Sequence, residues 1–199
     1  MALGIEKGAR VNILAQTSIY WSQFDMAVLG AGAITVPIYP TNTPEDTKFI
    51  INHSEAVLLF VDDYKNLQKV AAIAKDCPKL KQVIVNFEVR ASDVNAPFEI
   101  IQWTALYDSG LNQEKSLAAR FDGNLTEAKP SDIFTICYTS GTTGLPKGVV
   151  LTHSCMGSVF EDVEKVIGPY VTDQEQLLSF LPMSHISVSY THLTLPTKA

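Results

Sequence analysis

The sequence predicts an α/β fold, a largely parallel sheet flanked by helices, and three observations carry that prediction. Short runs of β-branched and aliphatic residues alternate with stretches of helical period. Glycine, proline and capping residues fall between those runs rather than inside them. No internal repeat or low-complexity tract interrupts the alternation. Strands separated by helices return to the sheet running the same way, so this order of elements gives parallel pairing.

Taken in order, residues 11–15 are predicted as a buried strand and Ile19–Gly30 as a helix bearing Trp21, Phe24, Val28 and Leu29. Residues 34–38 are short and β-branched, hence a strand, and 39–44 are a Pro/Thr/Asn loop. Thr43-Pro44-Glu45-Asp46 offers an N-cap hydroxyl, a proline at the first helical position and an acid at the third. That helix runs to about Ser54. Residues 56–61 form the next strand. Leu67, Val70, Ala71 and Ala74 recur at i, i+3, i+4 and i+7, an apolar helix face that Pro78 ends. Residues 82–87 are a strand and 88–97 an exposed loop. Residues 108–120 are polar and loosely helical, with 112–116 solvated. A strand at 133–138 leads into a glycine-rich loop, followed by a strand at 149–151, a helix at His153–Ile167 and a strand at 177–181.

Bulk composition narrows the function. With 46% hydrophobic and 18% charged residues in 199, the chain can bury one sizeable core. A net charge of −6 argues against nucleic acid or an anionic membrane surface as a partner. A few aimed N–H groups can still hold a phosphate. No span approaches the ~20 apolar residues of a membrane helix. The start lacks a secretory pattern, since Glu6, Lys7 and Arg10 come at once. Cys77, Cys137 and Cys155 are widely spaced, fit no metal or disulfide framework, and read as reduced core thiols of a cytoplasmic chain.

The chemistry concentrates in Ser140-Gly141-Thr142-Thr143-Gly144-Leu145-Pro146-Lys147-Gly148. Its glycines allow positive φ and close backbone approach to a ligand. Consecutive N–H groups in such a turn form an anion-binding nest. Ser140, Thr142 and Thr143 add hydroxyls that can also face a metal, and Lys147 adds a mobile positive charge suited to phosphate oxygens. The loop follows a strand, at the sheet edge where open α/β folds bind ligands. A surface connection that binds nothing would not need this density of donors. A Walker-type loop is excluded, because Gly148 rather than Ser or Thr follows Lys147.

From Tyr138 to Gly148, and on through Val149-Val150-Leu151-Thr152-His153, the segment resembles the phosphate-binding signature of the adenylate-forming superfamily. That superfamily includes acyl-CoA synthetases, peptide-synthetase adenylation domains and luciferases. Gly32-Ala33-Ile34-Thr35-Val36-Pro37-Ile38-Tyr39-Pro40-Thr41-Asn42-Thr43 is similar to the matching stretch of bacterial long-chain fatty acyl-CoA synthetases. Leu181-Pro182-Met183-Ser184-His185-Ile186 resembles the next core motif, whose histidine or aromatic residue lines the active site. His153 packs or caps a helix and receives no chemistry.

The resemblance implies an incomplete piece of a large N-terminal domain, residues 1–187, from an enzyme that forms acyl-AMP from a fatty acid and ATP and then acyl-CoA. It implies that Thr139, Ser140, Gly141, Thr142, Thr143 and Gly144 hold ATP phosphates and that Thr142 contacts Mg2+. Lys147 neutralises the leaving pyrophosphate, and His185 sits by the acyl–phosphate junction. Coenzyme A is the co-substrate, and peripheral membrane contact of the parent enzyme stays open. The family's adenine segment, second magnesium ligand, ribose aspartate and small C-terminal domain are expected beyond this chain, and an earlier helix before Met1, so the chain alone is expected to be inactive. Two other readings stay open: an adenylation domain loading an amino or aryl acid onto a carrier protein, and a non-catalytic nucleotide-binding module. Residues 188–199 break the pattern. Thr191, Thr194 and Thr197 recur every third residue without a helix face, and the run resembles a translated transposon-based sequencing adaptor, a non-native tail.

Overall fold

The computed structural model describes residues 2–139, 144–170 and 182–185. Its strands are β1 (Arg10–Leu14), β2 (Ile34–Pro37), β3 (Leu58–Val61), β4 (Gln82–Val85), β5 (Glu99–Gln102), β6 (Ile133–Thr139) and β7 (Lys147–Thr152). Its helices are α1 (Ile19–Gly30), α2 (Pro44–Ser54), α3 (Tyr64–Ile73), α4 (Trp103–Asn112), α5 (Glu114–Glu127) and α6 (His153–Ile167). The strands form one sheet in the order β5-β4-β3-β1-β2-β6-β7. All neighbours are parallel except β6 and β7.

Side chains alternate along a strand, and here both faces are covered. Val11, Ile13, Leu58, Phe60 and Ile84 pack against Trp21, Phe24 and Val28 of α1. On the other face Val36, Leu59, Val61, Val83 and Val85 pack against Ile50 and Ile51 of α2 and Leu67 and Val70 of α3. The two layers follow from handedness. The chain steps from β1 to β2 in one direction and then back across β1 to β3, and right-handed crossovers put the two connections on opposite faces. Loops leaving β1 and its neighbours therefore diverge, opening a crevice at the carboxyl edge of the sheet.

Local chemistry sets the helix starts. Ser18 Oγ accepts the Trp21 N–H at 3.3 Å, Thr43 Oγ1 accepts the Asp46 N–H at 3.1 Å, and Asp63 Oδ1 accepts the Asn66 N–H at 2.6 Å. At the end of α2, Glu55 adopts a left-handed φ of 56°. Its carboxylate is paired with Arg10 and Lys79 across the start of the sheet.

Several expectations change. The strands expected at 56–61 and 82–87 are shorter. Glu99–Gln102, where no strand is expected, forms β5 on the edge of β4; Phe98, Ile100 and Ile101 are the β-type residues that could have announced it. Gln82 Nε2 also donates to Glu99 Oε2 at 2.9 Å there. The polar stretch 108–120 divides into α4 and α5, and α5 continues to Glu127. β7 runs antiparallel, since a short loop can close only a hairpin and a parallel return needs a long crossover. Cys77 and Cys137 are buried free thiols, but Cys155 is exposed in the first turn of α6 and is not a core thiol. No helix among the described residues is long and apolar enough to cross a membrane. The strand expected at 177–181 and the tail 188–199 lie outside the described residues.

Candidate functional site

The glycine-rich segment is carried by the β6–β7 hairpin. Register places Thr139 opposite Lys147 and Tyr138 opposite Gly148, so two predicted ligand residues face each other at the mouth of the loop. Both are exposed. Gly144 has φ +94°, a conformation that side chains rarely adopt. Ser140, Gly141, Thr142 and Thr143 lie outside the described residues. β6 is tied to the sheet by the buried Thr135 hydroxyl, which donates to the Thr35 carbonyl at 2.8 Å.

Beside the hairpin, at the carboxyl ends of β2 and β6, lies a cleft of about 490 Å³ lined by Tyr39, Asn42, Asp46, Tyr138, Thr139 and Gly144. The segment after β2 is held from below, where Lys69 Nζ donates to the Pro40 and Asn42 carbonyls at 2.7 and 3.0 Å. Burial, then neighbouring Lys65, lowers the Lys69 ammonium against a smaller opposing pull from Asp63. Burial raises both tyrosine hydroxyls, Tyr39 and Tyr138, with Cys137 a lesser cause at Tyr39. They stay protonated and able to donate. A larger apolar recess of about 580 Å³ lies at the opposite edge, between the end of α1 and α5, and it lacks this density of hydroxyls.

The turn bearing His185 sits on the same carboxyl edge, over β1 and β2. Met183 N–H donates to Thr17 Oγ1 at 3.2 Å, Ser184 Oγ to the Ile38 carbonyl at 3.3 Å, and His185 N–H to the Pro182 carbonyl at 3.0 Å. The His185 side chain is exposed. The predicted residues that are described thus share one edge, with His185 on the β1–β2 side and Thr139, Gly144 and Lys147 on the hairpin. His153 is elsewhere: it opens α6 and packs edge-on against Phe134 with centroids 5.1 Å apart.

Among the described residues no group of three His, Cys, Asp or Glu side chains could hold a metal ion. The donor set is hydroxyls, backbone N–H groups and one lysine, which suits phosphate oxygens. It suits Mg2+ only as an ion that keeps those oxygens as ligands. Sequence reasoning missed His53 and Phe49, whose relation to Tyr138 exists only across the fold.

The fold is that of an open α/β protein, and a sequence rich in glycine and hydroxyls with a lysine after it, at the carboxyl edge of the sheet, is of the kind suited to phosphate oxygens. The AMP-binding enzyme family profile matches residues 1–197, and the chain belongs to that family. It is 32% identical over 186 residues to the long-chain-fatty-acid–CoA ligase FadD15 of Mycobacterium bovis, covering 94% of this chain and 29% of that protein. It is also 32% identical over 199 residues to the long-chain-fatty-acid–CoA ligase ACSBG2 of Xenopus laevis, covering 98% of this chain and 26% of the relative. Among solved structures, the inhibitor-bound N-terminal domain of FACL13 from Mycobacterium tuberculosis aligns with a TM-score of 0.69 at 26% identity, over 98% of this chain and 43% of that one. The chain therefore spans less than a third of the length of these curated relatives.

Proposed function

We propose that this chain is the phosphate-binding part of an ATP-dependent acyl-CoA synthetase acting on a fatty acid. In the first step a carboxylate oxygen attacks the α-phosphorus of ATP, the bond to the bridging oxygen breaks, and pyrophosphate leaves. In the second, the thiol of coenzyme A attacks the acyl carbon and AMP leaves. No covalent enzyme intermediate is required, so catalysis rests on positioning and on stabilising phosphate charge. Thr139, Ser140, Gly141, Thr142, Thr143 and Gly144 supply N–H and hydroxyl donors to the β- and γ-phosphates. Lys147 neutralises the departing pyrophosphate. Thr142 would supply a hydroxyl to Mg2+, which when bound would add further charge neutralisation. His185 borders the acyl–phosphate junction. The cytoplasm is the proposed compartment. Residues 1–187 belong to the N-terminal domain in this reading, and 188–199 are an adaptor-derived tail.

The observation that carries the proposal is the pairing of Thr139 with Lys147 at the mouth of a loop beside a hydroxyl-lined cleft, in a chain of this family. The long-chain-fatty-acid–CoA ligases among its relatives support a fatty acid as substrate. The test is ATP–pyrophosphate exchange by the uninterrupted reading frame that contains this chain. Exchange that depends on an added fatty acid is expected. Exchange without a carboxylate, or none with any fatty acid, overturns the reading.

A further inference from the structure

Tyr138 is the last buried residue of β6 before the loop. Its hydroxyl lies 2.7 Å from His53 Nδ1 on α2. Phe49, one turn earlier on α2, stacks on the His53 ring with centroids 5.2 Å apart and meets the Tyr138 ring edge-on at 6.4 Å. The same tyrosine ring lies over Gly148, the register partner on β7. A Cβ there would stand 3.2 Å from Tyr138 Cζ and 3.0 Å from Ile136 Cγ2. One side chain thus touches helix α2 and both stems of the hairpin.

The direction in which a hairpin loop leaves a sheet is set by how its stems are held, and Tyr138 and Gly148 are the stem pair behind Thr139 and Lys147. Thr139 and Lys147 pair in the ladder but their side chains are exposed, so side-chain contacts that orient the stems come from the pair behind them. Packing holds the Tyr138 ring in place, and the directional hydrogen bond between its hydroxyl and His53 Nδ1 adds a fixed orientation relative to α2. We propose that His53, backed by Phe49, is a positioning residue for the phosphate-binding loop, acting through the hydroxyl of Tyr138. This rests on the reading of that loop as the ATP-phosphate site.

The experiment uses the uninterrupted reading frame and steady-state adenylation. Tyr138→Phe removes the hydroxyl and keeps the ring. It is expected to raise KM for ATP about tenfold, within the range that small misplacements of a site produce. KM for the fatty acid and the melting temperature should stay near wild type. His53→Leu should behave alike, and His53→Asn, whose amide reaches the Nδ1 position, should restore KM for ATP to near wild type. An unchanged KM for ATP in Tyr138→Phe and His53→Leu overturns the proposal. So does a loss confined to melting temperature, or an Asn variant no better than Leu. Lys147→Ala separates the two readings. If it abolishes exchange while the other variants are inert, the clamp is wrong and the loop assignment stands. If Lys147→Ala is inert as well, both are wrong.

Discussion

Strand β1 and strand β7 belong to one sheet and are built on opposite terms. β1 has a parallel neighbour on each side, and Val11, Ile13 and Leu14 are at most 1% exposed. Its buried Asn12 donates Nδ2 to the Val36 carbonyl at 3.1 Å. Among the described residues β7 pairs only with β6, and Val149 and Val150 are 44% and 53% exposed. The β1 half is held by packing, so its sequence is committed to shape. β7 carries little of the core, so this end of the sheet can accommodate glycine and a lysine. Stability and the proposed phosphate chemistry are therefore assigned to two parts of one sheet, and that division can be tested.

The largest effect should fall in the buried half. Phe60 is fully buried and stacked on Phe24 at 4.8 Å. Phe60→Ala is expected to cost about 3–5 kcal/mol of stability, and Val150→Ala on the hairpin within about 0.5 kcal/mol. Urea unfolding of both variants measures this directly, and equal losses would abolish the distinction.

Next come Lys147→Ala and Thr142→Ala, assayed for adenylation in the uninterrupted reading frame. Each should lose about 1–4 kcal/mol of transition-state stabilisation with little change in melting temperature. A variant inactive only because it unfolds would make the loop structural.

Thr43 stands between the two regions, capping α2 where that helix borders the cleft. Thr43→Ala removes the acceptor for the Asp46 N–H and should cost about 1 kcal/mol. A loss below a few tenths in thermal melts would show that Pro44 alone sets the helix start.

Two acids provide the smallest and most specific comparison. A hydrogen bond from Lys79, then its charge, lowers the Glu55 carboxyl below 4.5. That contribution is present above pH 4.5 and is lost as pH falls through the folded value. Burial raises Asp62 above 3.8, although its Oδ2 accepts the Gln16 N–H at 2.6 Å. Its contribution is present below pH 3.8 and is lost as pH rises through the folded value. Glu55→Gln should therefore flatten the acid side of the stability profile. Asp62→Asn should raise stability at pH 7 relative to pH 3. Denaturant midpoints at the two pH values would contradict these signs if both variants moved the same way.

The helices Ile19–Gly30, Pro44–Ser54 and His153–Ile167 were legible in the sequence alone. Their signals act within one turn: capping hydroxyls, Pro44 at the first helical position and an apolar face of fixed period. The glycines, hydroxyls and lysine of residues 140–148 were legible for the same reason, since they are contiguous in the sequence. What the tertiary structure decided depends on which segments meet. Glu99–Gln102 pairs with β4 because β4 leaves it an edge, and Cys155 is exposed because it lies on the outward face of α6 while its neighbour Met156 is buried. The contact of His53 with Tyr138 joins residues 85 positions apart, and no local period or cap can announce a hydrogen bond that forms only once α2 and β6 have docked.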